Sequence, residues 1–412
     1  VGYFKQYRGL PREIYFIFVA RIVNSLGTFI HPFMAMYLSR KIGMSDEAVG
    51  VYMTILAGVG FPAVILGGKL ADKFGRKWTY VIPQMLSALL FASVGFMHDS
   101  PAVPYIMVAA SFFVTMAWPA LSAMLMDNTN QSNRQAALSL SYLGMNVGFA
   151  FGPTIAGFLF ENATRWIFWG DALTTMAAVV MVAVVFKEKS VEERMAGETL
   201  SESEAAFDGS ALKALWQRPV LIAFSMINAL LAWVYAQSSY ALPLHMIDIF
   251  ADAGAKLYGF IGSINGFEVI LLTPIVLMIT KKIKPTMNLV VVSFLYMVGF
   301  GLYGVTQNIW VFYLATAIWT LGEIIGAVNI GVYIANHTPV THRGRFQSLF
   351  DIIYGAGRTA GPLLAGMILI THSLNQLWFI TAAVSLLSAL LLYALYRYEV
   401  AANKKKKRTI ES

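Results

Sequence analysis

The chain has 412 residues, of which 58% are hydrophobic and only 13% carry charge, with a formal net charge of +8. A water-soluble protein of this length needs charge at about a quarter of its positions, so most of this surface faces something other than water. Cysteine is absent, which removes disulfides, thiolate zinc sites and iron–sulfur ligands from consideration.

A helix needs about 20 mostly apolar residues to cross the hydrocarbon of a bilayer. The opening segment bears Lys5, Arg8 and Arg12 without a small-residue cleavage site, so the first apolar run, 13–38, is expected to be a span and not a signal peptide. Further spans are expected near 48–70, 78–97, 103–126, 136–160 and 166–186. A glutamate-rich polar stretch, 187–217, separates these from a second set near 219–244, 257–280, 288–306, 309–335, 345–370 and 374–397. The expected organisation is an N-terminal six-helix bundle over 1–186, a cytoplasmic linker over 187–217, a C-terminal six-helix bundle over 218–400 and a basic cytoplasmic tail over 401–412.

Orientation follows from the cations. With the N-terminus inside, 24 of the 30 Lys and Arg fall on that side, four (Arg40, Lys41, Arg165, Lys256) fall outside, and Arg21 and Arg358 fall within spans. Cytoplasmic loops carry the positive excess, so both termini are expected in the cytoplasm of a multi-pass plasma-membrane protein. The tail then belongs to the membrane surface and not to nucleic acid.

The two sets repeat. Asp127, Thr129, Arg134, Gly148, Gly152, Pro153 and Gly157 are followed by Asn336, Thr338, Arg343, Gly357, Gly361, Pro362 and Gly366, each 209 residues later. His31-Pro32-Phe33 near the end of the first span is echoed by Leu242-Pro243-Leu244 at the end of the seventh. Two related bundles that rock about a site near the midplane are how secondary transporters are built.

Between the second and third spans runs Gly68-Lys-Leu-Ala-Asp72-Lys-Phe-Gly75-Arg76-Lys77. This resembles the loop signature of the major facilitator superfamily, G-x-L-A-D-x-x-G-R-K, at every specified position, and the repeat extends the resemblance over nearly the whole chain. The resemblance implies an all-α integral membrane fold of about twelve transmembrane helices in two pseudo-symmetric six-helix bundles. It also implies a conformational latch, in which Gly68, Asp72, Gly75, Arg76 and Asp127 hold the halves together when the outside is open.

In the fifth span, Gly144-Met-Asn-Val-Gly148-Phe-Ala-Phe-Gly152-Pro153-Thr-Ile-Ala-Gly157 spaces glycines four apart for close helix approach. It is similar to the antiporter motif of the twelve-helix drug:proton exporters, with Gly148, Gly152, Pro153 and Gly157 in place and Ala156 where that motif has glycine. One departure is plain. Those exporters usually carry an arginine in the fourth span, where 103–126 offers only Ser111, Thr115 and Trp118.

Ionisable residues within spans cost about 2.5–3.5 kcal/mol on insertion scales and are functional candidates by default. They are Arg21, Glu268, Glu323, Asp351 and Arg358, with Asp171 near the outer end of the sixth span. Glu323 is the first candidate for a proton-coupling acid and Glu268 the second. Arg21 suits either a pair with one of the acids or an anionic group of a substrate. Asp351 and Arg358 are seven residues apart, too far to pair directly.

Gly299-Phe-Gly301-Leu-Tyr-Gly304 matches a dinucleotide-binding pattern but lies in an apolar span with no strand before it. The histidines show no ligand spacing on one helix, so no metal and no cofactor is expected. No nucleophile constellation points to an enzyme. The expected function is proton-coupled secondary active transport by alternating access, with efflux of hydrophobic or amphipathic small molecules. Flipping of a lipid or lysolipid, nutrient:proton symport and a non-transporting membrane sensor stand as alternatives. The expected partners are a small-molecule or lipid-like substrate, protons and the bilayer, and the expected state is a monomer.

Overall fold

The computed structural model describes residues 7–97, 100–129, 133–186, 219–280, 282–337 and 343–411. The linker expected over 187–217 lies outside these residues, as does the side chain of Asp72. The described chain is helical: α1 (Arg12–Leu26), α2 (Ile30–Arg40), α3 (Asp46–Phe74), α4 (Arg76–Val94), α5 (Val103–Asp127), α6 (Arg134–Phe160) and α7 (Arg165–Val185) are followed by seven more. These are α8 (Pro219–Ala236), α9 (Ala241–Phe250), α10 (Gly254–Thr280), α11 (Pro285–Tyr303), α12 (Ile309–His337), α13 (Arg343–Leu369) and α14 (Leu374–Glu411).

A helix satisfies its own backbone hydrogen bonds, which is what a segment in lipid must do. Ten stretches of the described residues are long and apolar enough to cross a membrane, and one of them, Pro219–Thr280, has 62 residues, enough for two passes. α4 has 19 residues and opens on Arg76-Lys77, which dilutes its apolar character; with it the passes number about twelve. The outward faces are apolar: Leu173 and Val184 of α7 are 71% and 78% exposed, an arrangement that lipid accepts and water penalises.

Two compact units make up the chain, Val1–Glu198 with Leu242–Ile270, and Thr199–Ala241 with Leu271–Ser412. Within the first, α1 packs on α6 and α7, and α4 packs on α5 and α7. Ile14, Ile17, Leu121, Met124, Leu140 and Val182 fill part of its core. Within the second, α8 packs on α13 and α14, and α11 packs on α12 and α14. The Phe300 ring stacks against Trp319 at 5.5 Å and Trp378 at 6.1 Å. The helix pairing of one unit is thus repeated in the other.

The glycine repeat explains one shared contact. A Cβ on Gly148 would meet the carbonyl oxygen of Ile22 at 2.5 Å, and one on Gly357 would strike the carbonyl oxygen of Ala229. In both units a glycine lets one helix touch the backbone of the next, with no room for a methyl group.

The first and seventh spans, expected as single helices, are each broken. α1 stops at Leu26 and α2 starts at Ile30, while α8 stops at Ala236 and α9 starts at Ala241. Pro32 and Pro243 lie in the first turn after each break and lack the N–H that would bond back across it. In the first unit the backbone N–H groups of Phe29 and Ile30 donate to the buried carboxylate of Asp171 on α7, which caps α2. Asp171, placed by the sequence near the outer end of the sixth span, is therefore buried there within the first unit, two turns into α7. α14 also runs on as helix well past the expected span end at 397.

Candidate functional site

Three groups of predicted residues can be followed in the structure. The loop signature lies in the first unit, where α3 passes into α4 through Gly75 alone. Gly75 has φ +95°, a conformation that favours glycine. That turn delivers Arg76 to the start of α4, where its Nη1 pairs with the Asp127 carboxylate at the end of α5 and donates to the Ala123 carbonyl at 3.0 Å. Both side chains are largely buried, 19% and 12% exposed. Gly68 stands in open space, with nothing within 4 Å of a Cβ built on it.

The glycine-rich fifth span is α6, also in the first unit. Its Gly144, Gly148 and Gly152 face the backbone of α1, while Gly157 faces Ala255 at the start of α10. The contact is completed by Thr154, whose hydroxyl donates to the Gly259 carbonyl at 3.2 Å and lies 2.7 Å from that of Ser263. Pro153 takes part directly: a Cβ on Gly259 would meet its carbonyl oxygen at 2.5 Å.

The ionisable residues divide between the units. In the second, α12 carries Glu323, half-buried, and the Tyr235 hydroxyl of α8 donates to its Oε1 at 2.9 Å. The guanidinium of Arg358, from α13, lies over the same tyrosine ring at 5.9 Å. Tyr296 of α11 and Trp319 of α12 wall that ring at 6.2 and 5.9 Å. Three helices thus bring an acid, a phenol and a cation to one aromatic ring. Asp351 is exposed, two turns before Arg358 on α13. Glu268 is half-buried on α10 and belongs to the first unit.

Arg21 belongs to the first unit as well. Its guanidinium lies over the ring of Trp118, 5.3 Å from the centroid. Among the described residues it forms no ion pair within 4.0 Å, and its Nε is buried with no hydrogen-bond partner. The departure noted in the fourth span thereby gains a physical meaning. α5 carries no arginine of its own, but its Trp118 receives a cation from α1.

Sequence reasoning missed Tyr235 and Tyr296. A phenol inside an apolar span differs from phenylalanine by one oxygen, and only a neighbouring acid shows what that oxygen does. The pairing of Arg21 with Trp118 was equally out of reach, since it joins residues 97 positions apart.

Two bundles of the same helix pairing, apolar outer faces and charged groups held inside spans define a multi-pass membrane transporter. The family model of the Major Facilitator Superfamily matches residues 17–330 and 252–412. The chain belongs to that superfamily. It is similar to the Na(+), Li(+), K(+)/H(+) antiporter of Planococcus maritimus, 21% identical over 83% of this chain and 85% of that protein. It is also similar to the multidrug resistance protein MdtG of Dickeya zeae, 22% identical over 87% of this chain and 88% of that one. The crystal structure of the nucleoside transporter NupG shares the fold, with a TM-score of 0.78 at 14% identity over 94% of this chain and all of that one.

Proposed function

We propose that this transporter is a proton-coupled exporter of hydrophobic or amphipathic small molecules that works by alternating access, with both termini in the cytoplasm of the plasma membrane. The observation that carries the reading is the hydrogen bond from Tyr235 to Glu323 beside the Arg358 guanidinium. A carboxylate inside a span costs about 2.5–3.5 kcal/mol to insert, so one that is kept there is a functional candidate by default. Here the phenol steadies the charged acid and the guanidinium stands by to compensate it. A proton arriving at Glu323 weakens both attractions and frees the Tyr235 hydroxyl to rotate. Proton binding is in this way exchanged for a rearrangement of α8, α12 and α13.

Glu268 serves as a second acid. The Arg76–Asp127 pair, with Gly68, Gly75 and Asp72, serves as the latch of one conformational state. Similarity to a cation/H(+) antiporter and to a multidrug resistance protein supports the class of reaction.

The test is dye uptake into inside-out vesicles under an imposed pH gradient. The gradient should drive an amphipathic dye inward as protons leave, Glu323→Gln should abolish the gradient-driven part, and Glu268→Gln should reduce it. Dye and protons moving in the same direction would instead establish symport and end the exporter reading.

A further inference from the structure

We infer that Arg21, backed by Trp118, receives an anionic group on the solute, so that the cargo class is amphipathic anions: a sulfonate, carboxylate or phosphodiester joined to an apolar ring or chain. This rests on the transport reading above and adds the charge of what is carried.

Arg21 lies within the first span, and its stem is held in place. The backbone of α6 comes so close at Gly144 that a Cβ there would lie 3.3 Å from the Cβ of Arg21. From that anchored base the guanidinium reaches the face of Trp118, and the Tyr80 phenol of α4 lies within its electrostatic reach. Other cations of this unit have partners: Arg76 pairs with Asp127, Lys41 with Glu161, and Arg40 with Glu161 and Asp252. Arg21 alone among these has no acid among the described residues, and its Nε is shielded without a hydrogen bond.

A guanidinium cannot discharge by losing its proton, so an uncompensated one inside a bundle calls for an anion. Its planar fork fits two oxygens of a carboxylate, sulfonate or phosphate side by side. Trp118 adds the second half of the recognition. Its indole is 49% exposed, so part of the ring that backs the cation is left to stack on an apolar ring or chain of the same ligand. Charge and aromatic surface adjoin, which is the pattern of an amphipathic anion.

The test uses the full chain in nanodiscs of zwitterionic lipid, with empty nanodiscs subtracted, and two dyes of one ring system. Anilinonaphthalene sulfonate carries the anion and phenylnaphthylamine lacks it. The sulfonate should bind about tenfold tighter or more, as a charge-assisted hydrogen bond supplies. Arg21→Gln should erase that advantage and leave the neutral dye unchanged, while Arg21→Lys should keep part of it. If Arg21→Gln does not fold, Arg21→Lys and Trp118→Leu carry the test: the lysine should weaken the sulfonate and not the neutral dye, and the leucine, which removes the stacking surface, should weaken both. Displacement of the sulfonate by naphthalene sulfonate, or by oleoyl lysophosphatidylglycerol, assigns a soluble or a lipid source for the anion. Equal affinity for the two dyes, an Arg21→Gln variant that binds the sulfonate as the parent does, or no displacement by either competitor overturns the inference. Binding is read at equilibrium with no pH gradient, so loss of proton coupling leaves it unchanged and the two readings fail separately.

Discussion

Gly148 and Gly68 belong to neighbouring motifs but should respond oppositely to the same substitution. In Gly148→Ala the new Cβ would lie 2.5 Å from the Ile22 carbonyl oxygen, 2.5 Å from the Leu26 nitrogen and 2.7 Å from Ser25 Cβ. Two of these three atoms are backbone, so α1 itself must retreat by roughly 1 Å to restore ordinary contact. Overpacking of this kind costs about 1–3 kcal/mol, while replacing a mid-helix glycine by alanine returns about 1 kcal/mol of helix propensity. The net is a loss of about 1–2 kcal/mol, since a backbone neighbour yields less than a side chain. Gly68→Ala meets nothing within 4 Å and should keep the propensity gain of up to about 1 kcal/mol. Thermal melts followed by intrinsic tryptophan fluorescence, at fixed detergent, resolve such differences at about 2–4 °C per kcal/mol for units of this size. Gly148→Ala melting at or above the parent, or Gly68→Ala melting below it, would refute the close-packing argument. The same Gly68→Ala protein tests the latch: stability kept and flux reduced is the expected combination.

Single substitutions Arg76→Asp and Asp127→Arg should each lower the melting point by the equivalent of about 1–3 kcal/mol, because each turns a largely buried attraction into a like-charge contact. The double swap should recover at least half of that loss, and a double variant as unstable as the singles would show that the pair is not what matters. Asp171→Ala strips the cap from α2 and should cost about 1–2 kcal/mol in the same melt. Asp171→Asn, which keeps a carbonyl acceptor, should cost less, and equal losses would argue against capping. Tyr235→Phe removes the donor to Glu323 but keeps the ring beneath Arg358, so gradient-driven flux should fall about tenfold with folding intact. Unchanged flux would remove the phenol from the coupling step.

The twelve-span plan was legible because lipid imposes a length and a composition on every pass, and both survive in a bare sequence. The turn into α4 was legible for a similar reason: Gly75 needs a positive φ and Arg76 beside it pairs with Asp127, and each requirement leaves a fixed residue. The breaks were not. Pro32 and Pro243 marked both places, but a proline in an apolar run fits a kinked continuous helix as well as two short ones. What supports the first break is Asp171, 139 residues beyond Pro32, whose buried carboxylate faces the backbone N–H groups of Phe29 and Ile30 at the start of α2. Glu323 was found from its cost in lipid, whereas the phenol hydrogen-bonded to it was not, because tyrosine in a span carries no such cost.

The repeat conserves backbone and not chemistry, and this decides where function can be sought. Gly148 touches the carbonyl of Ile22 and Gly357 that of Ala229, so the contact registers α1 against α8 at an offset of 207 residues. By that register the place of Arg21 is taken by Asn228, whose Nδ2 donates to the Phe224 carbonyl at 2.8 Å within its own helix. Past the two breaks the prolines are offset by 211, four residues more than the helices before them, about one helical turn. At the second break, Gln237 Nε2 donates to the Trp233 carbonyl at 3.0 Å, and Ser238 and Ser239 donate to the carbonyls of Tyr235 and Ala236 at 2.8 and 3.1 Å. Both breaks have neutral groups on the C=O side, the Thr28 hydroxyl donating to the Asn24 carbonyl at 3.2 Å in the first, and the first adds an acid on its N–H side. The glycine contacts therefore follow the repeat, while a cation is placed in one unit and an acid–phenol pair in the other. A transporter whose polar groups obeyed the repeat would offer the same site twice. This one offers each once, so the solute site and the proton site proposed above are separate places in the chain.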